Sequence, residues 1–302
     1  MATPTGPLLS VRDLRVHFFM DEGVVKAVDS VSFEIFPGQV LGIVGESGCG
    51  KSVTVKALLR IVESPGRIVS GEILLQHSSG GPNGVGEVIT DLATLDPGGP
   101  QMRSIRGAEI ALIPQEPMAA FSPVHSVGDQ IIEAIMLHRE VSSHEARAIA
   151  VQLARDVGIP APEQRLDQYS WQLSGGLRQR AMIAMALSCE PRLLIADEPT
   201  TAVDVTTQAQ VLRLLRALQR DRGTAIIFIT HDMGVIAQMA DHVLVMYLGR
   251  VMEQGPVDNI FYDPRHPYTQ ALLRSIPSVS STPREALPTI SGSIPHPFSA
   301  PR

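Results

Sequence analysis

The chain has 302 residues, 44% of them hydrophobic, enough to bury one substantial core with a smaller appendage. Its net charge of −6 lacks the basic footprint that nucleic-acid binding leaves. Cys49 and Cys189 are too few for a disulfide framework and fit a reducing compartment. The opening MATPTGPLLS has no basic n-region or apolar h-region, and no apolar run reaches the roughly 18 residues of a membrane span. Any membrane-spanning part is therefore expected from other chains.

Residues 8–36 alternate apolar and polar positions, predicting two antiparallel strands joined by a turn at Asp21-Glu22-Gly23. VLGIVG (40–45) is a nearly all-apolar run, suited to a fully buried strand. KSVTVKALLRIV (51–62) has helical spacing. Residues 77–100 hold six glycines with little periodicity and are expected to form an exposed loop or insertion between strands. A helical block runs from about 125 to 189. RLLIADE (192–198) is another buried-strand run, QAQVLRLLRALQRDRG (208–223) an amphipathic helix with a Gly stop, and TAIIFITHD a third buried strand. HVLVMYLGRVMEQG reads as a hairpin. The last 40 residues contain eight of the 23 prolines and are expected to be a separate, loop-rich tail. The alternation predicts an α/β fold with a parallel sheet.

Three segments carry chemistry. Gly45–Ser52 reads GESGCGKS, the GxxxxGK[ST] pattern, between an expected strand and an expected helix. Glycines let successive N–H groups turn inward as an anion cradle, and the helix start adds partial positive charge. Lys51 can then reach β- and γ-phosphates, and Ser52 can ligate Mg²⁺. This motif alone does not separate transporters from kinases, GTPases or helicases. Asp197 and Glu198 end a buried strand, where α/β sheets bind ligands. Neighbouring strand residues point to opposite sides, so the two acids are expected to divide their work. Asp197 can hold Mg²⁺, and Glu198 can orient and deprotonate a water. Leu173–Arg180 reads LSGGLRQR before a helix, with Ser174 a plausible N-cap and Gly175 and Gly176 exposing backbone N–H groups.

Together GESGCGKS and LSGGLRQR resemble the nucleotide-binding subunits of ABC transporters, over about residues 8–260. The resemblance implies a RecA-like P-loop NTPase core with an N-terminal antiparallel β subdomain, an inserted helical subdomain (about 116–189) and a C-terminal extension. The nucleotide-binding domain would cover 8–262 and the Pro-rich extension 263–302. It implies ATP and Mg²⁺, bound by Gly45, Glu46, Ser47, Gly48, Cys49, Gly50, Lys51 and Ser52. Gln115, in IPQEPM, resembles the Q-loop glutamine that contacts Mg²⁺ and the attacking water. Asp204 resembles the D-loop aspartate, and His231 the switch histidine on the γ-phosphate. Phe18, or else Phe19, stands where the family stacks an aromatic on adenine, although an aromatic on an alternating strand is more often core. The family signature commonly continues LSGGQ; Leu177 stands at that Gln, losing side-chain hydrogen bonding but keeping the backbone donors, so activity is expected to survive.

In the family two subunits pack head to tail, each nucleotide lying between one subunit's phosphate loop and the other's Ser174-Gly175-Gly176 equivalent. The partners implied are a second ATPase subunit, identical or related, two transmembrane permeases and, indirectly, an extracytoplasmic solute-binding protein, with no nucleic acid. The expected place is the cytoplasmic face of the cell membrane. PQEPMAAFSPVHSVGDQI and DPRHPYTQALLRSIP (263–277) are similar to segments of di- and oligopeptide importers, a subfamily that also includes nickel and glutathione importers. Relatives often continue past a stretch like IPHPFSAPR into a cysteine cluster; none follows here, so no iron–sulfur cluster is expected. Two further readings stay open: a non-transport ABC ATPase, and a regulatory module that no longer hydrolyses ATP.

Overall fold

A computed structural model describes residues 6–81, 84–115, 120–200 and 205–275. The chain divides into two compact units. The first begins with strands β1 (Leu9–Met20), β2 (Gly23–Ile35) and β3 (Val40–Val44), helix α1 (Lys51–Leu58), and strands β4 (Gly66–Gly81) and β5 (Gly84–Asp91). The second, from Gly98 to Ile227, holds α2 (Pro100–Ile105), β6 (Ile110–Ile113), α3 (Val127–His138), α4 (Ser143–Asp156), α5 (Pro162–Leu166), α6 (Gly175–Leu187), β7 (Leu193–Asp197) and α7 (Val205–Arg222). Strand β8 (Ala225–Ile229) returns the chain to the first unit. There follow α8 (Met233–Met239), β9 (His242–Tyr247), β10 (Arg250–Pro256), α9 (Val257–Tyr262) and α10 (Pro267–Arg274).

In the first unit, β2-β1-β4-β5 form an antiparallel sheet, and β9 joins β3 in parallel and β10 antiparallel. The alternation of residues 8–36 places Val11, Leu14, Val16, Val28, Val31 and Phe33 in the core, as a half-buried sheet requires. Strand β3 is buried at every position, so its run is continuous rather than alternating. The expected loop over 77–100 is instead largely strand: β4 and β5 pair from Leu74↔Asp91 to Gly81↔Gly84. Ladder bonds use only backbone groups, which glycine supplies as well as any residue, so the pairing runs on where side-chain periodicity has ended. Helix α1 also stops four residues short of the expected 62. Arg60 turns left-handed (φ 56), its N–H donating to Ala57 and that of Ile61 to Lys56, a Schellman stop without glycine.

In the second unit, β6 and β7 pair in parallel, Ile110 opposite Leu193. Beside them lies the expected helical block. Ser126 caps α3 by accepting from the Asp129 N–H at 3.0 Å, and Ser142 with Glu145 forms a capping box on α4. Ile131, Ile135, Ala146, Ala150 and Ala154 form its buried seam at helical spacing. Among the described residues no helix is long and apolar enough to cross a membrane. The Pro-rich segment, expected to be loop-rich, carries α10 at its start: Pro267 sits at the first helical position, where no N–H is needed, and His266 caps it. The IPHPFSAPR stretch, with the cluster expectation attached to it, lies in residues 276–302, outside the described residues.

Candidate nucleotide site

The phosphate loop belongs to the first unit and follows the buried β3 directly. Two of its glycines have no room for a side chain. A Cβ at Gly45 would stand 2.1 Å from the Met246 carbonyl oxygen, and one at Gly50 2.2 Å from that of Ala27. Both also have positive φ, 147° and 102°. At Gly48 (φ 79) a Cβ would meet nothing, so this part of the loop faces open space. The Gly249 N–H donates to the Cys49 carbonyl at 2.9 Å, tying the loop to the β9–β10 turn.

Lys51 is buried, its Nζ donating to the carbonyls of Gly45 (2.8 Å) and Glu46 (2.9 Å). An ammonium held by two neutral carbonyls and the Cys49 sulfur (3.7 Å) suits a phosphoryl anion, whose charge those groups lack. Ser52 is half-buried in the first turn of α1, Glu46 is half-buried and Ser47 is exposed. Burial pushes the Cys49 thiol up, against the pull of Lys51, so Cys49 fills the loop's inner side as an uncharged group.

His231 follows the buried end of β8 and is exposed. Its neighbour Asp232 caps α8, Oδ1 accepting from the N–H groups of Gly234 (2.8 Å) and Val235 (3.2 Å), which anchors the turn that presents the histidine. Of the two phenylalanines, Phe18 is half-buried, with its ring so close that a Cβ on Gly66 would stand 2.6 Å away. Phe19 is exposed, with the Arg67 guanidinium 4.1 Å from its ring centroid.

The second unit holds the acidic pair. Asp197 is buried at the end of β7, and Glu198 is half-buried just beyond it. Glu198 takes a left-handed backbone (φ 48), unusual for a residue with a Cβ and strained by roughly 1 kcal/mol or more. That turn aims its carboxylate at Gln115, whose Nε2 donates to Oε2 at 3.0 Å. Two sequence-predicted residues 83 positions apart are thus brought together. Ser174 caps α6 by accepting from the Leu177 N–H at 3.4 Å. Gly175 is exposed and Gly176 half-buried; a Cβ on the first meets nothing and on the second only Thr207 at 3.4 Å. Asp204 lies outside the described residues.

Gln179 went unnoticed in the sequence. It is fully buried and donates from Nε2 to the Pro199 carbonyl at 2.6 Å, holding the loop that follows Glu198 to the signature helix. Its inward position on α6 was readable from helical spacing, but the carbonyl it meets was not.

The ABC transporter family profile matches residues 28–201, and the profile described as "Oligopeptide/dipeptide transporter, C-terminal region" matches 252–302. The chain is 48% identical to the "Probable peptide ABC transporter ATP-binding protein y4tR" of Sinorhizobium fredii, covering 95% of this chain and 82% of that protein. It is 47% identical to the oligopeptide transport ATP-binding protein OppD of Bacillus subtilis, over 95% and 77%. The glutathione import ATP-binding protein GsiA of Escherichia coli is 49% identical over 91% of this chain, which spans 43% of that protein. In fold, the chain matches the ATP-binding cassette MJ0796, solved as a dimer with ADP and Pi, at a TM-score of 0.71 and 23% identity, over 82% of this chain and 98% of that one. The chain therefore belongs to the ABC transporter family, as an ATP-binding, ATP-hydrolysing subunit with an antiparallel β part and a RecA-like parallel sheet.

Proposed function

We propose that the chain hydrolyses ATP at composite sites shared with a second ATPase subunit, and that hydrolysis drives peptide import through two membrane-spanning permeases. The observation that carries the shared site is the bareness of Gly175 and Gly176, which nothing in their own unit requires. A helix start with exposed N–H groups and no local need for glycine suits the close approach of an anion held by another subunit. The likeness in fold to a cassette solved as a dimer supports the same arrangement. The named peptide and oligopeptide relatives support the cargo. Glutathione, itself a tripeptide, is the second reading, favoured by the likeness to GsiA.

Glu198 is the general base for water attacking the γ-phosphorus, with Gln115 holding both its carboxylate and the water. Lys51 keeps one N–H donor on the Gly45 carbonyl and turns the others to the β- and γ-phosphates, and His231 contacts the γ-phosphate as charge develops. Ser52, Asp197 and Gln115 are the residues to hold Mg²⁺, which when bound with the nucleotide offsets charge on the phosphate oxygens. Phe18 supports the adenine, and Asp204 acts across the subunit boundary. The chain works at the cytoplasmic face of the membrane, supplied indirectly by a solute-binding protein.

Glu198→Gln is expected to keep ATP binding while lowering turnover roughly 100-fold or more, and to accumulate an ATP-bound dimer on size-exclusion chromatography. Turnover at the wild-type rate would sink the assignment. Uptake by the assembled transporter in proteoliposomes, compared for oligopeptides, glutathione and Ni²⁺, tests the cargo.

A further inference from the structure

The segment DPRHPYTQALLR plays no part in the mechanism above, yet one of its side chains reaches the phosphate loop. Tyr268, in the first turn of α10, accepts a hydrogen bond through its hydroxyl from the Glu46 N–H at 3.3 Å. That N–H belongs to the peptide group between Gly45 and Glu46. The carbonyl of the same peptide group, on Gly45, accepts from Lys51 Nζ at 2.8 Å. A peptide group is a rigid plane, so whatever holds its N–H end also orients its C=O end. Tyr268 and Lys51 therefore grip opposite ends of one plane.

We infer that Tyr268 is a positioning residue for Lys51, acting through the Gly45–Glu46 peptide plane, so that the C-terminal segment sets how tightly the phosphate loop grips a nucleoside triphosphate. The inference rests on the assignment of Gly45–Ser52 as the phosphate cradle.

The tyrosine is itself held firmly. Only 8% of it is exposed, and its ring lies 4.6 Å from that of Tyr247, centroid to centroid. Tyr247 follows Met246, whose carbonyl oxygen closes the space beside Gly45, so ring and loop share one support in β9. The turn before α10 is pinned to β10 by Glu253. Its two carboxylate oxygens accept from the backbone N–H groups of Arg265 (2.7 Å) and His266 (3.0 Å). The His266 ring accepts from the Tyr268 N–H at 3.1 Å, and Gln270 Nε2 donates to the Pro264 carbonyl at 2.9 Å. Burial pushes the Tyr268 phenol well above its usual range, so the hydroxyl stays neutral across physiological pH. A ring that merely filled space would need no hydroxyl. Here the hydroxyl meets a loop N–H whose peptide partner, the Gly45 carbonyl, holds the phosphate-binding lysine.

The test uses the full chain, titrated with ATP by calorimetry and assayed for ATPase with its partner subunits. Tyr268→Phe keeps the ring and removes the acceptor. It is expected to raise both Kd and KM for ATP roughly 3- to 10-fold. Its kcat should stay within about twofold of wild type, the mark of lost ground-state binding. Glu253→Gln, which loosens the turn without touching the loop, should shift both constants the same way by less. Tyr262→Phe, on an exposed ring at the end of α9, should change nothing. Unchanged Kd and KM in Tyr268→Phe would overturn the inference. So would a lower kcat at unchanged KM, the pattern of a smaller folded fraction. Lys51→Ala separates the two levels. If it binds ATP normally, the cradle assignment fails; if it loses ATP while Tyr268→Phe matches wild type, only the role of Tyr268 fails.

Discussion

The phosphate loop and the signature are both glycine-rich starts of helices, yet they are built on opposite plans. Gly45 and Gly50 are glycines because their own unit leaves no space: backbone oxygens stand 2.1 and 2.2 Å from where a Cβ would be. Helix α1 begins from Gly50 without any side-chain cap. The signature has room to spare. Gly175 faces empty space, and α6 is capped conventionally by the Ser174 hydroxyl. A glycine demanded by its own fold shapes the part of a site that its own unit supplies. A glycine its own fold does not demand leaves room for the second subunit proposed above.

The comparison can be broken by substitution. Gly45→Ala drives a methyl into the Met246 carbonyl in a backbone region that disfavours side chains, and is expected to cost about 2–4 kcal/mol by chemical unfolding, with nucleotide binding lost. A wild-type unfolding midpoint would mean the loop is not built as described. Gln179→Leu removes the buried amide donor to the Pro199 carbonyl and should cost about 1–2 kcal/mol. ATPase should fall with it while ATP affinity holds, because the loop beside Glu198 loses its tie; an unchanged kcat would place Gln179 in packing alone. Gly175→Ala is the smallest in stability, within about 0.5 kcal/mol, and should leave ATP binding by the lone chain intact. Its effect should surface only in assembly, as loss of ATP-dependent dimers in sedimentation and of turnover. Equal melting losses in Gly45→Ala and Gly175→Ala would erase the distinction between the two motifs.

Much of this was legible in the chain. Buried strands such as β3, β7 and β8 are short continuous apolar runs, and the serine-capped helices of the second unit carry their start signals locally. What failed were inferences from periodicity where backbone chemistry rules. The glycine-rich end of the β4–β5 hairpin has no side-chain pattern to read, and Arg60 ends α1 in a conformation usually left to glycine. At the site, the residue types of Lys51, Asp197, Glu198, Gln115 and His231 stood out because their chemistry is local. The pairing of Gln115 with Glu198, the left-handed turn that aims Glu198, and the grip of Gln179 on Pro199 join residues far apart in sequence.

The two glycine-rich motifs show where that boundary lies. The order of residues by itself determined that an anion cradle and a second bare helix start exist, because spacing and residue type dictate which N–H groups can converge. Only the tertiary structure decided that the first is walled in by Met246 and Ala27 and reached by Tyr268 from 222 residues away, while the second stands open. Steric fit and hydrogen-bond partnership depend on which distant backbone atoms arrive beside a residue, and no local pattern encodes that arrival.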